Sequence, residues 1–284
     1  MDRSAAPYWE SLSGAFRFRP PLTPSTQDLD WYGRGLREGE PEAARLLLGV
    51  TPGIAGMRRP PRVPLYSIDW SEGMLRRVLP PGSGAPVRAD WRELPLAGRS
   101  CGVAFCDLFF PALPSLEDGK TVLAELARVL RPGGGVRFRC FVRTEPGERV
   151  PALIDELRHS AEEDFALFRM RFAAAVQGPR GSGVALDEVW RSWRAHVQDA
   201  RALGPGHWAA GELAAMERWK GSPVRYAFPT LAELRDAAAP RFDFTGCELP
   251  AYARERHAES APTAGVNDGV RFASSSTKRP SWRT

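Results

Sequence analysis

The chain has few of the residues that mark metal centres, redox proteins and membrane spans. Its 284 residues include only 4 cysteines and 4 histidines, and no two cysteines have the C-x-x-C spacing of zinc ribbons or thioredoxin-like proteins. No run approaches the ~18 apolar residues of a transmembrane helix, and the first residues form no apolar leader. These absences predict a cytoplasmic chain without membrane contact, with buried thiols and no metal site.

Lysine is also scarce, since 36 of the 39 basic residues are arginine, against 34 acidic residues and a net charge of +5. The arginines are spread along the chain and form no stripe, so nucleic acid is not an expected partner. A composition of 43% hydrophobic and 26% charged residues is that of a globular protein. Collagen-like structure and wholesale disorder are thereby excluded.

Short apolar segments alternate with helical patterns between residues 44 and 142. Because parallel strands need crossover connections, this alternation predicts an α/β fold with a mostly parallel sheet and helices on both faces. Two later strands would complete seven. The predicted strands are Ala44–Val50, Val63–Asp69, Pro86–Asp90, Cys101–Asp107, Val136–Val142, Phe242–Glu248 and Gly269–Ala273.

The segments around this core differ in pattern. Residues 151–227 show helical periodicity with stripes of phenylalanine and tryptophan, which either line a pocket or, more commonly, pack the segment onto the sheet. The predicted organisation is an N-terminal helical preface (1–42), a Rossmann-like core (43–150), a helical cap insertion (151–227), a sheet-closing helix and strands (228–273) and a disordered tail (274–284).

Three aspartates, Asp69, Asp90 and Asp107, end predicted strands. Carboxyl ends of parallel strands meet at one edge, so the aspartates would face one crevice, although turn chemistry alone also explains Asp90 and Asp107. The turn from Gly49 to Gly53 lacks the G-x-G-x-x-G fingerprint of pyrophosphate binding. Asp69 lies 20 residues after Gly49, where a carboxylate accepts hydrogen bonds from both ribose hydroxyls. The pattern predicts a nucleoside site without a phosphate cradle.

Four segments in this order resemble the class I S-adenosylmethionine-dependent methyltransferases. They are Leu46–Gly53, Ile68–Met74, Ala89–Pro95 and Leu126–Gly135, and the Arg-Val-Leu-Arg-Pro-Gly-Gly stretch of the last is the most specific. The resemblance covers residues 44–143. It implies a Rossmann-like fold with S-adenosylmethionine as the cofactor.

The resemblance implies a role for each residue of the crevice. Gly49, Thr51 and Gly53 would surround the amino acid and ribose portions of the cofactor, and Asp69 would bind the ribose hydroxyls. Two positions depart from the family pattern: Leu47 stands where an acid is usual, and Thr51 where a central glycine is usual. The amino group of the cofactor would therefore be held by other groups.

The adenine would lie further along the same edge. Trp70 and Met74 would flank it, Asp90 would accept from its exocyclic amine, and Trp91 would pack on it. Asp107 and Leu108 would lie beside the methionine end and the acceptor. The acceptor itself would be bound by aromatic residues of the preface and cap: Tyr8, Trp9, Trp190 and Trp208.

The implied reaction is transfer of a methyl group to oxygen or nitrogen of a small molecule by in-line displacement, which needs alignment more than acid–base machinery. Where a base is needed, Asp107 and His207 are the predicted catalytic residues, with His159 and His196 as further candidates. The partner is a small-molecule acceptor, and a homodimer is allowed. Phe109–Ala112 lacks the Asn-Pro-Pro-aromatic tetrad of methyltransferases that act on bases.

Two other functions are compatible with these residues. The chain could cyclise or fragment the cofactor without an external acceptor, a reading motivated by the altered turn at Leu47 and Thr51. It could also be a non-catalytic scaffold of the same fold that binds a partner or RNA through its arginines.

Overall fold

Nine strands are present in a computed structural model of the chain, which describes residues 6–14, 18, 20–38, 42–159, 165–198, 210–248 and 267–275. His207, Trp208 and residues 276–284 lie outside these ranges. The strands are β1 (Ala44–Leu48), β2 (Leu65–Asp69), β3 (Ala85–Arg88), β4 (Cys101–Asp107), β5 (Leu130–Val142), β6 (Val184–Ala185), β7 (Arg225–Tyr226), β8 (Asp243–Glu248) and β9 (Asn267–Ser275).

The main sheet has the order β3-β2-β1-β4-β5-β9-β8. Its first five strands pair in parallel, as predicted, which confirms the α/β fold. Strand β9 is antiparallel to β5, and β8 is antiparallel to β9. Strands β6 and β7 form a separate two-stranded sheet, so the segment predicted as helices only also contains strands.

The strand register brings the carboxyl ends of β1, β2 and β4 together at one edge of the sheet. Leu48 pairs with both Ile68 and Cys106, so the residues that follow β1, β2 and β4 emerge side by side. The chain runs outward from β1 through β2 to β3 and then crosses to β4, so strand order reverses between β1 and β4. Ligands of open α/β sheets bind in the crevice at such a reversal.

Helices cover the sheet and extend beyond it. They are α1 (Ala6–Gly14), α2 (Thr26–Glu38), α3 (Pro52–Ala55), α4 (Leu116–Val129), α5 (Val150–His159), α6 (Phe165–Gln177), α7 (Leu186–His196), α8 (Ala210–Glu217) and α9 (Leu231–Ala238). A π-helical turn covers Met74–Val78. Side chains cap two of the helices: Ser115 Oγ accepts from the N–H of Asp118 before α4, and Thr230 forms a capping box with Glu233 before α9.

The buried apolar residues form two main clusters. One lies between the sheet and helices α4 and α9, around Leu46, Leu126 and Phe138. The other joins α5, α6 and α7, where the rings of Phe168 and Phe172 lie 5.9 and 5.8 Å from that of Trp193. The aromatic stripes of this segment therefore serve mainly in packing, as the more common interpretation held.

The boundaries of β5 and β9 extend well beyond the sequence prediction. The fifth strand was predicted from Val136, yet β5 begins at Leu130 and bulges between the Leu130–Cys101 and Gly135–Val103 pairs. The glycines permit this bulge, since Gly133 has φ of +79°. Strand β9 ends at Ser275, and its last two residues lie in the segment predicted as a disordered tail (274–284).

Candidate functional site

A cavity of about 630 Å³ lies at the carboxyl edge of the parallel strands. Four parts of the chain line it: the strand ends with the residues that follow them, helix α1, residues 18–23, and the segment from α6 to β7. Predicted site residues in its wall are Tyr8, Trp9, Gly49, Thr51, Asp69, Met74, Trp91, Asp107 and Leu108. The structure thus brings together residues from distant parts of the sequence that were assigned separately to cofactor and acceptor.

Gly49 leaves room for a ligand at the reversal point. Its φ is +81°, and a Cβ here would lie 3.2 Å from Cζ2 of Trp91 and 4.0 Å from Oδ2 of Asp69. Trp91 is fixed in this position because its Nε1 donates to the carbonyl of Ile68 at 2.9 Å. A side chain at position 49 would both strain the backbone and fill the space between these two groups.

Asp69 is a buried carboxylate at the end of β2. The N–H of Ser71 donates to its Oδ1 at 2.7 Å, and the N–H groups of Val50 and Trp70 also donate to it. Burial raises its pKa from 3.8 to about 6, against the effect of these hydrogen bonds. The group therefore changes charge close to neutral pH.

Glu10 ties helix α1 to the strand edge. Its carboxylate accepts from Ser71 Oγ at 2.8 Å, from the N–H of Gly73 at 3.0 Å and from Nη2 of Arg77 at 3.2 Å. The hydrogen bond from Gly73 is the main cause of a lowered pKa. Sequence reasoning missed this residue, because nothing in the sequence places it beside the turn after β2.

Asp107 belongs to a buried charged cluster. Nε and Nη2 of Arg139 donate to its two carboxylate oxygens at 2.7 and 2.9 Å, and the Tyr32 hydroxyl donates at 3.3 Å. Asp28 lies 3.8 Å from Arg139 as well, and the side chains of Arg139 and Asp28 have 0% exposure. Burial raises the pKa of Asp107, while Arg139 opposes that rise.

The predicted base role of Asp107 does not fit this geometry, although the residue does line the cavity. Both of its oxygens already accept hydrogen bonds from Arg139, so accepting a proton from an acceptor would break a buried ion pair. Asp107 instead holds the edge of β4 in place. His196, another candidate base, is exposed and its Nδ1 is bonded to the carbonyl of Ser192.

Asp90 lies outside the described cavity lining. Strand β3 ends at Arg88, earlier than predicted, and the guanidinium of Arg92 bonds Asp90 at 2.8 Å and Asp118 at 2.7 Å. Through Arg92 the carboxylate thus connects the end of β3 to α4. Its Oδ1 also accepts from the backbone N–H of Arg92 at 3.0 Å, which is the turn chemistry that was the alternative for Asp90.

Three further predicted site residues also fall outside the described lining. The Cβ position of Gly53 faces Leu29 of α2 at 3.0 Å. The ring of Trp70 is covered by Arg88, whose Cζ lies 5.9 Å from its centroid. Trp190 donates from Nε1 to Glu217 at 3.0 Å, and Nζ of Lys220 lies 5.4 Å from the centroid of its ring. Trp70 and Trp190 thus contact charged side chains near them in the fold, and Gly53 lies against α2.

Other lining residues were not assigned to the site from sequence. They include Arg169 and Met170 of α6, Arg218 and Trp219 after α8, and Tyr226 of β7. One signal was available for Arg169, which interrupts the apolar run of α6 between Phe168 and Met170. An arginine in such a run needs either a partner or a ligand.

Residues 53–138 match a family model described as a methyltransferase domain. This segment runs from α3 through β2, β3, β4 and α4 into β5. It contributes Asp69, Met74, Trp91 and Asp107 to the cavity wall, whereas residues 49–51 of that wall precede it. The match covers 86 of the chain's 284 residues. In this part the chain is similar to methyltransferase domains, in agreement with the resemblance of its motifs. This similarity supports an enzyme with S-adenosylmethionine as its cofactor, as the resemblance implied.

Solved structures share the fold of this chain at low sequence identity. A Rhodobacter sphaeroides protein proposed to be a Zn-dependent alcohol dehydrogenase is 15% identical with a TM-score of 0.60, over 97% of this chain and 100% of that one. Geranyl diphosphate C-methyltransferase of Streptomyces coelicolor A3(2), solved with S-adenosyl-L-homocysteine, is 11% identical with a TM-score of 0.50, over 88% and 76%. No curated protein matches the chain.

Metal ligands and membrane spans were also sought in the described residues. No group of three or more histidine, cysteine, aspartate or glutamate side chains there is arranged to hold a metal ion. None of the described helices combines the length and apolar character that crossing a membrane requires.

Proposed function

We propose that this methyltransferase acts on oxygen or nitrogen of a small-molecule acceptor bound in the cavity of about 630 Å³. The main support for this proposal is that residues of the strand ends, of α1 and of the α6–β7 segment all line this one cavity. Its volume is within the roughly 300–1,000 Å³ of small-molecule sites. Such a space suits a cofactor and a compact acceptor side by side.

The strand-end residues fit the cofactor. The space at Gly49, which a Cβ would fill, admits a ligand against the backbone, and the buried Asp69 carboxylate suits two ribose hydroxyls. Met74 and Trp91 would border the adenine, while Thr51, Asp107 and Leu108 would line the methionine end. When bound, S-adenosylmethionine supplies a methyl group on a sulfonium, a good leaving group.

The remaining parts of the chain would form the cover. In this proposal the preface (1–42) and the cap insertion (151–227) close over the strand edge and exclude water, while 228–273 completes the sheet beside it. Tyr8 and Trp9 would contact the acceptor, since both line the cavity. Roles for His207 and Trp208, a cytoplasmic location and a homodimer stay predictions.

Cofactor affinity should depend on pH through Asp69. The ionised carboxylate accepts from both ribose hydroxyls, and its pKa is about 6 in the free protein. Affinity for S-adenosylhomocysteine should therefore be constant above about pH 7 and fall by up to about tenfold per pH unit below pH 6. Calorimetric titrations from pH 5 to 8 measure this, and a flat profile would rule out a titrating ribose ligand.

The acceptor class can be tested directly with methyl-labelled S-adenosylmethionine. The enzyme is incubated separately with low-molecular-weight, RNA and protein fractions of a cell extract, with Asp69→Ala as the inactive control. Label should appear in the small-molecule fraction, with stoichiometric S-adenosylhomocysteine. Label confined to RNA or protein would contradict the proposal, and methylthioadenosine formed without any fraction would support fragmentation of the cofactor.

A further inference from the structure

Helix α1 forms one wall of the cavity and is attached to two distant parts of the chain. Its residues in the cavity lining include Tyr8, Trp9, Ser11 and Leu12. The hydroxyl of Tyr8 is hydrogen bonded to that of Tyr226 in β7 at 2.8 Å. The carboxylate of Glu10 binds the turn that follows β2. Helix α1 therefore connects the α6–β7 segment to the edge assigned to the cofactor.

The attachment to the turn after β2 is a compact set of hydrogen bonds, which we call the α1 latch. Its members are Glu10, Ser13, Ser71, Gly73 and Arg77. Glu10 accepts from Ser71 Oγ at 2.8 Å and from the N–H of Gly73 at 3.0 Å. Ser13 lies on the same face of α1, three residues further on, and accepts from Nε of Arg77 at 3.1 Å. Two side chains of the helix are thus held by three residues of the turn.

Gly73 provides the space that the latch occupies. Its φ of −62° and ψ of −40° are open to most residues, so the backbone conformation does not require glycine. A Cβ at this position would overlap Nη2 of Arg77, Oε2 of Glu10 and Oγ of Ser13. A methyl group here would therefore displace the latch side chains while leaving the turn itself unstrained.

Ser71 joins the latch to residues of the cavity wall. Its N–H donates to Oδ1 of Asp69 at 2.7 Å, and its Oγ accepts from the N–H of Met74 at 3.1 Å. Asp69 and Met74 line the cavity, whereas none of the five latch residues is in the described lining. The latch is therefore next to the cofactor edge, but a ligand in the cavity would not take its place.

The rest of α1 buries little surface. Among its described side chains, only that of Ser13 is buried, and the others are half-buried or exposed. Segments with few buried apolar contacts open locally at a low cost in free energy. Polar contacts such as the latch therefore carry much of the attachment of this helix to the strand edge.

We infer that Glu10 is a positioning residue that holds α1 over the cofactor site, so that the latch sets the rate at which the cofactor enters and leaves. This inference rests on the proposed function, because it concerns the same cavity and cofactor. Exchange of the cofactor requires α1 to leave the turn after β2. Since the latch lies outside the described lining, weakening it raises the rates of entry and exit by a similar factor and changes the affinity little.

Exchange of S-adenosylhomocysteine tests this inference. A chase of labelled ligand with unlabelled ligand gives the dissociation rate, and stopped-flow tryptophan fluorescence gives the association rate, both at pH 7.5, where Asp69 is ionised. Glu10→Ala should raise both rate constants by about 10- to 100-fold, because hydrogen bonds to a charged group are lost. The Kd should change by less than about threefold. Glu10→Gln keeps one acceptor oxygen and should give intermediate rates.

Two further variants complete the comparison. Gly73→Ala displaces the latch without altering Glu10, and it should raise both rates in the same way. Glu72→Ala is the matched control, since Glu72 lies in the same turn but pairs with Arg76 at 2.7 Å and Arg88 at 3.5 Å. Its rates should equal those of the wild type. If one latch variant fails to fold, as judged by circular dichroism, the other supplies the comparison.

The outcomes distinguish this inference from the proposed function. Failure of the wild type to bind S-adenosylhomocysteine would contradict the proposed function and the inference with it. Normal binding with unchanged rates in the folded latch variants, or equal changes in Glu72→Ala, would overturn only the inference. Faster dissociation with weaker affinity and an unchanged association rate would mean that Glu10 supports Asp69 through Ser71, and it would also overturn the inference.

Discussion

Replacing Asp69 with alanine is expected to weaken S-adenosylhomocysteine binding by about 100-fold, or about 3 kcal/mol. The carboxylate is buried at the end of β2 and borders the space beside Gly49. Two hydrogen bonds from ribose hydroxyls to a charged group would be lost, and water would replace them poorly in this buried position. Isothermal titration calorimetry at pH 7.5 measures the effect.

Asp90→Ala is the matched control, since Asp90 also follows a strand of the same edge but is paired with Arg92 outside the described cavity lining. It should change the affinity by less than about threefold, within the usual range for surface changes. Asp69→Asn should lose the pH dependence of binding as well as affinity. Equal losses of affinity in the Asp69 and Asp90 variants would contradict this expectation and would support contact between Asp90 and the adenine.

Replacing Arg139 with methionine is expected to lower the free energy of unfolding by about 3–5 kcal/mol. Arg139 is fully buried and donates hydrogen bonds to both carboxylate oxygens of Asp107. Its Nη1 also lies 3.8 Å from Oδ2 of Asp28. Methionine fills much of the volume but leaves two buried carboxylates without this cation. Urea denaturation followed by circular dichroism measures the change.

The pH dependence of this deficit gives a second measurement. Without Arg139, burial raises the pKa of Asp107 further, so the folded variant should take up a proton that the unfolded chain at neutral pH does not hold. Its deficit relative to the wild type should therefore shrink as the pH falls from 7 to 5. Adding Asp107→Leu to Arg139→Met should recover part of the lost stability.

Arg191→Met is the surface control, because this arginine is 65% exposed in its pair with Asp187. It should change stability by no more than about 0.5 kcal/mol. A deficit of similar size in both arginine variants, or one that is independent of pH, would show that the cluster around Arg139 contributes little.

Local patterns were sufficient for the parallel core of the fold. Apolar segments that end in Asp69 and Asp107, with capping residues at Ser115 and Thr230, predict strands and helices that the structure contains. Each of these signals depends on neighbours within a few residues, as helix caps and buried parallel strands do. The alternation of strands and helices also predicted that Gly49, Asp69 and Asp107 meet at the carboxyl edge of the sheet, where all three line the cavity.

Side-chain partners distant in sequence were not predictable in this way. Asp90 satisfies the same local pattern as Asp69, and only folding brings Arg92 and Asp118 together around it. Asp107 gains Arg139 from the adjacent strand, 32 residues away, and with it loses the base role. A carboxylate at a strand end has the same sequence signature whether it meets a ligand or an arginine.

The sequence by itself determined the parallel sheet, the order of the strand-end aspartates and the methyltransferase resemblance, because periodicity and turn residues act locally. Only the tertiary structure decided which of those aspartates face the cavity, and that Glu10 binds the turn after β2. It also brought Arg169, Arg218 and Tyr226 into the same wall. Burial and charge pairing arise from contacts between segments that are far apart in the chain, and no local pattern contains them.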